Sequence, residues 1–262
     1  MKKNIAIYTS IFGGYDGLLP QKKIDGVDYI CFSDRPHHSR TWDVRVVEPV
    51  SDDPTRSSRH YKILPHRYLK DYETSIFMDG NFLVVGNAVK LVQKAFEYAP
   101  MAAFPNSKTA QGKGCVYEEY NSILALGEKT GRYKDDPVVM KNQIERYKKE
   151  NYPEINGLIT SGVLVRRHHN PRVIDVMERW WNELKNGSKR DQLSFNYSAW
   201  RENFDFSLIS GNIRDNECFF MLGKHRKNFR GKLLRYHIRR FLGLKRHDAP
   251  LTVLPPRVIP SF

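Results

Sequence analysis

The 262 residues, 40% of them hydrophobic, can enclose one substantial core, and no apolar run approaches the roughly 20 residues of a membrane-spanning helix. Cys31, Cys115 and Cys218 are widely spaced and form no C-x-x-C pair, which excludes a disulfide framework or a zinc knuckle and points to buried thiols in a reducing cytosol. The formal charge of +14 admits nucleic acid, anionic membrane or phosphorylated substrates, but ten Lys or Arg and no acidic residue lie between Lys224 and Arg246, so the excess is mostly terminal.

In chain order, residues 4–9 (NIAIYT) predict a first strand, followed by a Gly13-Gly14 loop where backbone amides can approach a ligand. Further strands are expected over 28–32, closed by Ser33-Asp34-Arg35-Pro36, and over 42–47. A helix follows over 55–69, with Pro65 kinking or ending its last turn. Residues 74–78 (TSIFM) read as a buried strand running into Asp79-Gly80-Asn81, with extended chain resuming at 82–85 and a helix over 88–98. A strand at 101–104 leads into helices at 116–126 and 137–150 on a polar, mobile excursion, and 157–166 returns to the sheet. The clearest helix spans 171–184, where Pro171 suits a first position and Val173, Val176, Met177, Trp180 and Leu184 repeat at helical spacing. A helix over 191–200, a strand over 217–222 and a basic tail complete the reading. Strands alternating with helices define an α/β protein whose ligands belong at the carboxyl ends of strands. The domain is expected over 1–227, with a basic amphipathic tail over 228–262.

Asp79-Gly80-Asn81 places a carboxylate and an amide on a tight turn at that sheet edge. Such hard oxygen donors suit Mg²⁺ or Mn²⁺, although the same tripeptide also describes a hairpin turn. Arg59 and Lys62 stand three apart on one helical face and suit a developing phosphate charge, or simply a solvated surface. Asp191 opens a helix after Lys189-Arg190 and is equally suited to capping it. His37, His38, His168 and His169 have no carboxylate or cysteine at ligand spacing and are expected on the surface.

Four segments taken together, 59–67 (RHYKILPHR), 75–81 (SIFMDGN), Trp180-Trp181 and 190–195 (RDQLSF), resemble the TOD/MUCI-like glycosyltransferase family, which includes plant enzymes of pollen turgor and seed mucilage and bacterial members found beside polysaccharide genes. The likeness runs from Ile5 to about Lys227. It implies a GT-A-like mixed sheet flanked by helices, a nucleotide-sugar donor, most commonly UDP-linked, a glycan or lipid-linked acceptor, and an Asp-x-Asp-like metal motif. On that pattern Asp79, Asn81 and a late histidine, His225, would hold the cation. Tyr8, Thr9, Asp34, Arg59, Lys62, Asp79 and Gly80 would receive the donor. Ser161, Gly162 and Gln192 would line the acceptor side, and Asp191 would face the reacting carbon, as general base if configuration inverts. Asn81 departs from the usual second Asp, which lowers the charge available to a metal and leaves room for a sugar-nucleotide-binding pseudoenzyme.

In the tail, Leu234, Ile238, Phe241 and Leu242 share one helical face among Arg235, Arg239, Arg240 and Lys245. Residues 228–246 therefore read as an interfacial helix at an anionic cytoplasmic leaflet, or as a helix docked on the domain with its charges in water. A nucleic-acid-binding protein is the competing function, but the terminal placement of the charge and the lack of an RNP, helix-turn-helix or zinc signature argue against it.

Overall fold

A strand with parallel neighbours on both sides is covered on both faces, so it reads as an apolar run rather than an alternating one. The computed structural model describes residues 3–106, 114–225 and 227–256. In it β1 (Lys3–Ile11) lies between β2 (Val27–Ser33) and β4 (Tyr72–Met78), parallel to both, and β3 (Trp42–Val46) extends β2 in the same sense. Beyond β4 the sheet becomes mixed. There β7 (Ile159–Arg166) runs antiparallel to β4 and to β6 (Met101–Pro105), and β8 (Ser207–Ser210) lies parallel to β6. The edge is β10 (Thr252–Leu254), antiparallel to β8, which gives the order β10-β8-β6-β7-β4-β1-β2-β3.

Alternate residues of each strand serve opposite cores. Ile5, Ile7, Ile76 and Met78 face helix α3 (Ala88–Ala95), whereas Ala6, Tyr8, Phe77 and Leu164 face α1 (Pro54–Ile63) and α6 (Pro171–Asn186). Helix α1 starts where the Asp53 carboxylate accepts from the Thr55 N–H at 2.8 Å with Pro54 in the first turn. It stops at Leu64 because Pro65 cannot donate to the preceding turn, and the chain restarts as α2 (Pro65–Tyr68). The continuous helix expected over 191–200 is also broken: Asp191–Leu193 form a 3-10 turn, and α7 (Phe195–Arg201) begins after Ser194.

The two helices expected on the excursion after β6 pack against the domain. Helices α4 (Val116–Thr130) and α5 (Pro137–Lys149) enclose a third core with α7, built on Val116, Ile123, Met140, Ile144, Tyr147 and Tyr197. The rings of Tyr147 and Tyr197 stack at 3.7 Å, and Arg146 pairs with buried Glu183 of α6 at 2.5 Å, pinning the layer to the domain. A separate two-stranded sheet joins β5 (Phe82–Val84) to β9 (Phe219–Met221), and α8 (Arg230–Phe241) lies over it through Phe229, Leu233 and Tyr236. The segment after residue 227 thus contributes a docked helix and the outermost strand of the main sheet. Strands β8 and β10 have no counterpart in the sequence reading.

Three of the four histidines expected on the surface, His37, His168 and His169, are half-buried or buried. His168 is fully buried, with its Nε2 3.1 Å from the Leu69 carbonyl, and burial pushes its pKa down to about 3. His37 is half-buried against the Ser33 hydroxyl. The three cysteines are free and buried. Among the described residues no helix is long and apolar enough to cross a membrane.

Candidate active site

Because β1 and β4 are parallel neighbours and β7 runs antiparallel to β4, the C-terminal ends of the first two and the N-terminal end of the third meet at one sheet edge. A cleft of about 640 Å³ opens there. Its first wall is the loop after β1, which turns at Gly13 with φ +62°. A Cβ at Gly13 would sit 2.8 Å from that of Pro54, so only glycine allows the loop to close on the start of α1. The second wall is Asp79-Gly80. The Asp79 N–H donates to the Gly162 carbonyl at 2.9 Å, and the bare Cα of Gly162 leaves room for the Asp79 carboxylate, whose Oδ2 would lie 3.2 Å from a Cβ there.

Opposite, α1 presents Arg59 and Lys62 on one face, and both reach the carboxylate of Asp191. Lys62 Nζ is 2.6 Å and Arg59 Nε 3.0 Å from Asp191 Oδ2, while the Ser161 hydroxyl donates to the same oxygen at 2.8 Å. Lys62 and Asp191 are 1% and 3% exposed, so the pair is withdrawn from water. The indole N–H of Trp180 donates to the Asp191 carbonyl at 3.1 Å and fixes the turn from behind. Burial alone would raise the Asp191 carboxyl, but Arg59, Lys62 and Arg190 outweigh it and hold the group well below the usual carboxylate range. Burial lowers the Lys62 ammonium, against the opposing pull of Asp191.

The remaining wall carries a pair not evident from sequence. His225 Nδ1 lies 2.6 Å from Asp16 Oδ2, with Tyr15 tilted against the imidazole at 4.9 Å and 67% exposed at the rim. Burial would lower the His225 pKa, but the hydrogen bond and charge of Asp16, with Asp79 beyond, raise it. Asp16 is 6% exposed and packs under Gly80. Lys134, Lys189 and Arg190 join Arg59 and Lys62 on the lining, with Lys189 paired to Asp53 and Arg190 to Glu119 outside it, beside the lining carboxylates of Asp16, Asp79 and Asp191. Such a cation-rich lining suits a diphosphate.

The family model described as TOD1/MUCI70, glycosyltransferase-like domain, matches residues 33–220. The chain belongs to this family. The matched span is narrower than the resemblance read from the sequence and includes Arg59, Lys62, Asp79, Ser161, Gly162 and Asp191 but neither Asp16 nor His225. Among solved structures, the chain resembles the apo bifunctional glycosyltransferase WbbM, at 10% identity and TM-score 0.45 over 78% of this chain and 38% of that one. It also resembles apo mouse xyloside xylosyltransferase 1, at 14% identity and TM-score 0.40 over 77% and 82%. The chain thus spans well under half of the WbbM chain. No curated protein sequence matches it. The architecture is the one the family resemblance implies: a GT-A-like mixed sheet flanked by helices.

Of the candidate residues, Arg59, Lys62, Asp79, Gly80, Ser161, Gly162, Asp191, Gln192 and His225 line the one cleft. Four others do not. Tyr8, expected at the donor, is fully buried: its hydroxyl donates to the Lys62 carbonyl at 2.5 Å and accepts from the buried Arg166 guanidinium. It therefore fixes the end of α1 that carries Lys62. Thr9 is likewise buried, because the parallel pairing of β1 closes over it. Asp34 accepts from the Gly13 N–H at 2.8 Å and pairs with Arg35, so it shapes the glycine loop from outside the cleft. Asn81 is 2% exposed, and its Nδ2 donates to the Gly223 carbonyl at 2.6 Å. That bond ties the amide nitrogen to the backbone just before His225 and leaves the buried Oδ1 without a hydrogen-bond partner among the described residues.

The family resemblance implies a divalent cation. Among the described residues no cluster of three His, Cys, Asp or Glu is preassembled for one. The donors nevertheless fit a cation that keeps most of its positions for phosphate and water. No side chain among the described residues hydrogen-bonds the Asp79 carboxylate, and the carboxylate behind His225 Nδ1 leaves Nε2 as its ligating nitrogen.

Proposed function

We propose that this chain transfers a sugar from a nucleoside-diphosphate donor, UDP-linked in the first instance, to a hydroxyl of a glycan or lipid-linked acceptor in surface-polysaccharide assembly. The observation that supports this reading is the pairing, within one cation-lined cleft, of an Asp79 carboxylate that no described side chain hydrogen-bonds with an Asp191 carboxylate locked by Arg59 and Lys62. Mg²⁺ or Mn²⁺ held by Asp79 and His225 would supply charge neutralisation at the diphosphate.

The protein's own residues account for the rest. In the transfer, the acceptor oxygen bonds to the anomeric carbon, the carbon–oxygen bond to the diphosphate breaks with its electron pair staying on the phosphate oxygen, and the hydroxyl proton passes to that departing diphosphate. Negative charge grows on the leaving phosphate, and Arg59 and Lys62, already oriented by Asp191, stabilise that charge more than the ground state. Asp191 is a poor proton acceptor, because a general base works best with a pKa near the operating pH and this carboxyl is held far below it. Its proposed role shifts from proton abstraction to holding the two cations and stabilising positive character at the anomeric carbon. Tyr15 at the rim offers a ring face to a base or sugar.

Thermal unfolding with nucleotides tests the reading, since a ligand that binds only the folded state raises its melting temperature. UDP should raise it in the presence of Mn²⁺ and far less in EDTA. Indifference to every nucleotide sugar, combined with steeply salt-dependent binding of short oligonucleotides, would replace the transferase with a nucleic-acid-binding function.

A further inference from the structure

We propose that α8 is a membrane-docking helix that seats the protein on an anionic lipid surface. The helix carries two apolar stripes. One, formed by Phe229, Leu233 and Tyr236, is spent on the β5–β9 sheet, where the Tyr236 ring stacks on Phe220 at 5.0 Å. At 100° per residue, Leu234, Ile238 and Phe241 lie on the opposite side of the cylinder. They are 63%, 50% and 91% exposed, and Leu242 at the C-cap is 58% exposed. Four large apolar side chains along one helix face exceed the scattered exposure expected of a surface helix.

The flanks of this ridge identify its partner. Arg230 borders one side, and Lys232, Arg235 and Arg239 border the other, with no acidic residue anywhere in α8. On that second side a recess of about 260 Å³ is lined by Lys232, Arg235, Arg239 and Lys245 over the Phe220 and Tyr236 rings, and of these cations Lys245 is paired with Asp215. An apolar ridge bordered by cations, beside a basic recess, matches acyl chains below and phosphate headgroups alongside. The inference concerns a face separate from the cleft and does not depend on the reaction assigned there.

The test is flotation of the full chain with vesicles of phosphatidylcholine alone or with 30% phosphatidylglycerol added, for wild type and for the Ile238→Ser/Phe241→Ser double variant. Both substituted positions are exposed, so the variant should melt with the wild type. The expected result is flotation with the phosphatidylglycerol vesicles only, weakened about tenfold or more in the variant, as removal of two inserted apolar side chains implies, and not competed by millimolar inorganic phosphate. Arg235→Gln/Arg239→Gln should weaken it further and flatten its salt dependence. Equal flotation of wild type and double variant, or no flotation of either, would overturn the inference. So would concentration-dependent self-association that the double variant abolishes without any vesicle binding, since the ridge would then belong to a second copy of the chain. Competition by free phosphate with no need for vesicles would reassign the recess to soluble anions and likewise overturn it.

Discussion

The two sides of the cleft are built on opposite principles. On the α1 side, Asp191, Lys62, Arg59 and Ser161 satisfy one another in a buried cluster backed by Trp180, so the geometry exists before any ligand arrives. On the β4 side, Asp79 lines the cleft with no hydrogen bond from any described side chain, and His225 stands one-third exposed on a carboxylate support. The first arrangement makes activity depend on folding. The second makes it depend on what binds, and substitutions should separate the two.

The largest stability effect is expected at Asp191. Asp191→Asn leaves the buried Lys62 ammonium without its counter-charge, and breaking such a pair costs about 3–5 kcal/mol. Urea unfolding should show that loss together with loss of transfer activity. The pH dependence has a definite sign. The folded carboxyl lies below its unfolded value, so its contribution is fully present above about pH 4 and fades as pH falls toward the folded value. The melting difference between wild type and Asp191→Asn should therefore stay constant from pH 8 to pH 5 and shrink only below about 4. A difference that already shrinks near neutrality would mean that Asp191 titrates there and can serve as the base after all.

Asn81→Asp comes next. It would restore an Asp-x-Asp motif in sequence, yet the position is 2% exposed and its Nδ2 is committed to the Gly223 carbonyl. A carboxylate there loses that bond and faces a carbonyl oxygen, at a cost of about 1–3 kcal/mol. Calorimetry should find no gain in Mn²⁺ affinity. A tighter Mn²⁺ site would show that the amide can swing into the cleft. Tyr8→Phe should cost about 1–2 kcal/mol by removing a buried hydroxyl that serves both the Lys62 carbonyl and Arg166. Because the ring is sealed from the cleft, the nucleotide Kd should change far less than the stability.

What the sequence made legible was whatever local periodicity or a contiguous motif encodes. The helix over 171–184, the break at Pro65, the strand into Asp79 and the α1 face carrying Arg59 and Lys62 all rest on neighbours within a few residues. Gathering 59, 62, 161, 162, 191 and 192 around one cleft followed from the family resemblance, since their own spacing was equally compatible with a solvated helix face, close packing and a helix cap. The Asp16–His225 pair was half seen, because its members are 209 residues apart and only the sheet brings them together. Tyr8 and Thr9 were misplaced for a related reason: proximity to the ligand edge along a strand does not say which face a side chain takes, and parallel pairing on both sides buries both faces. The helices at 116–149 looked polar because their apolar residues are sparse, but aromatic stacking and the Arg146–Glu183 pair concentrate the packing into few contacts.

The smallest stability effect and the most informative functional one belong to Asp79→Asn. The side chain is half-buried, no described side chain hydrogen-bonds it, and its backbone bond to Gly162 survives the substitution, so stability should change by no more than about 0.5 kcal/mol. If Asp79 is the cation ligand, UDP binding in Mn²⁺ should fall to the level seen in EDTA, while binding in EDTA itself stays unchanged. His225→Ala should produce the same convergence to a lesser degree, because it removes a neutral donor rather than a charge. Should Asp79→Asn instead tighten nucleotide binding in EDTA and leave the Mn²⁺ response intact, the carboxylate would be repelling the diphosphate directly. The basic wall of Arg59, Lys62, Lys134, Lys189 and Arg190 would then have to stabilise the leaving group without a metal.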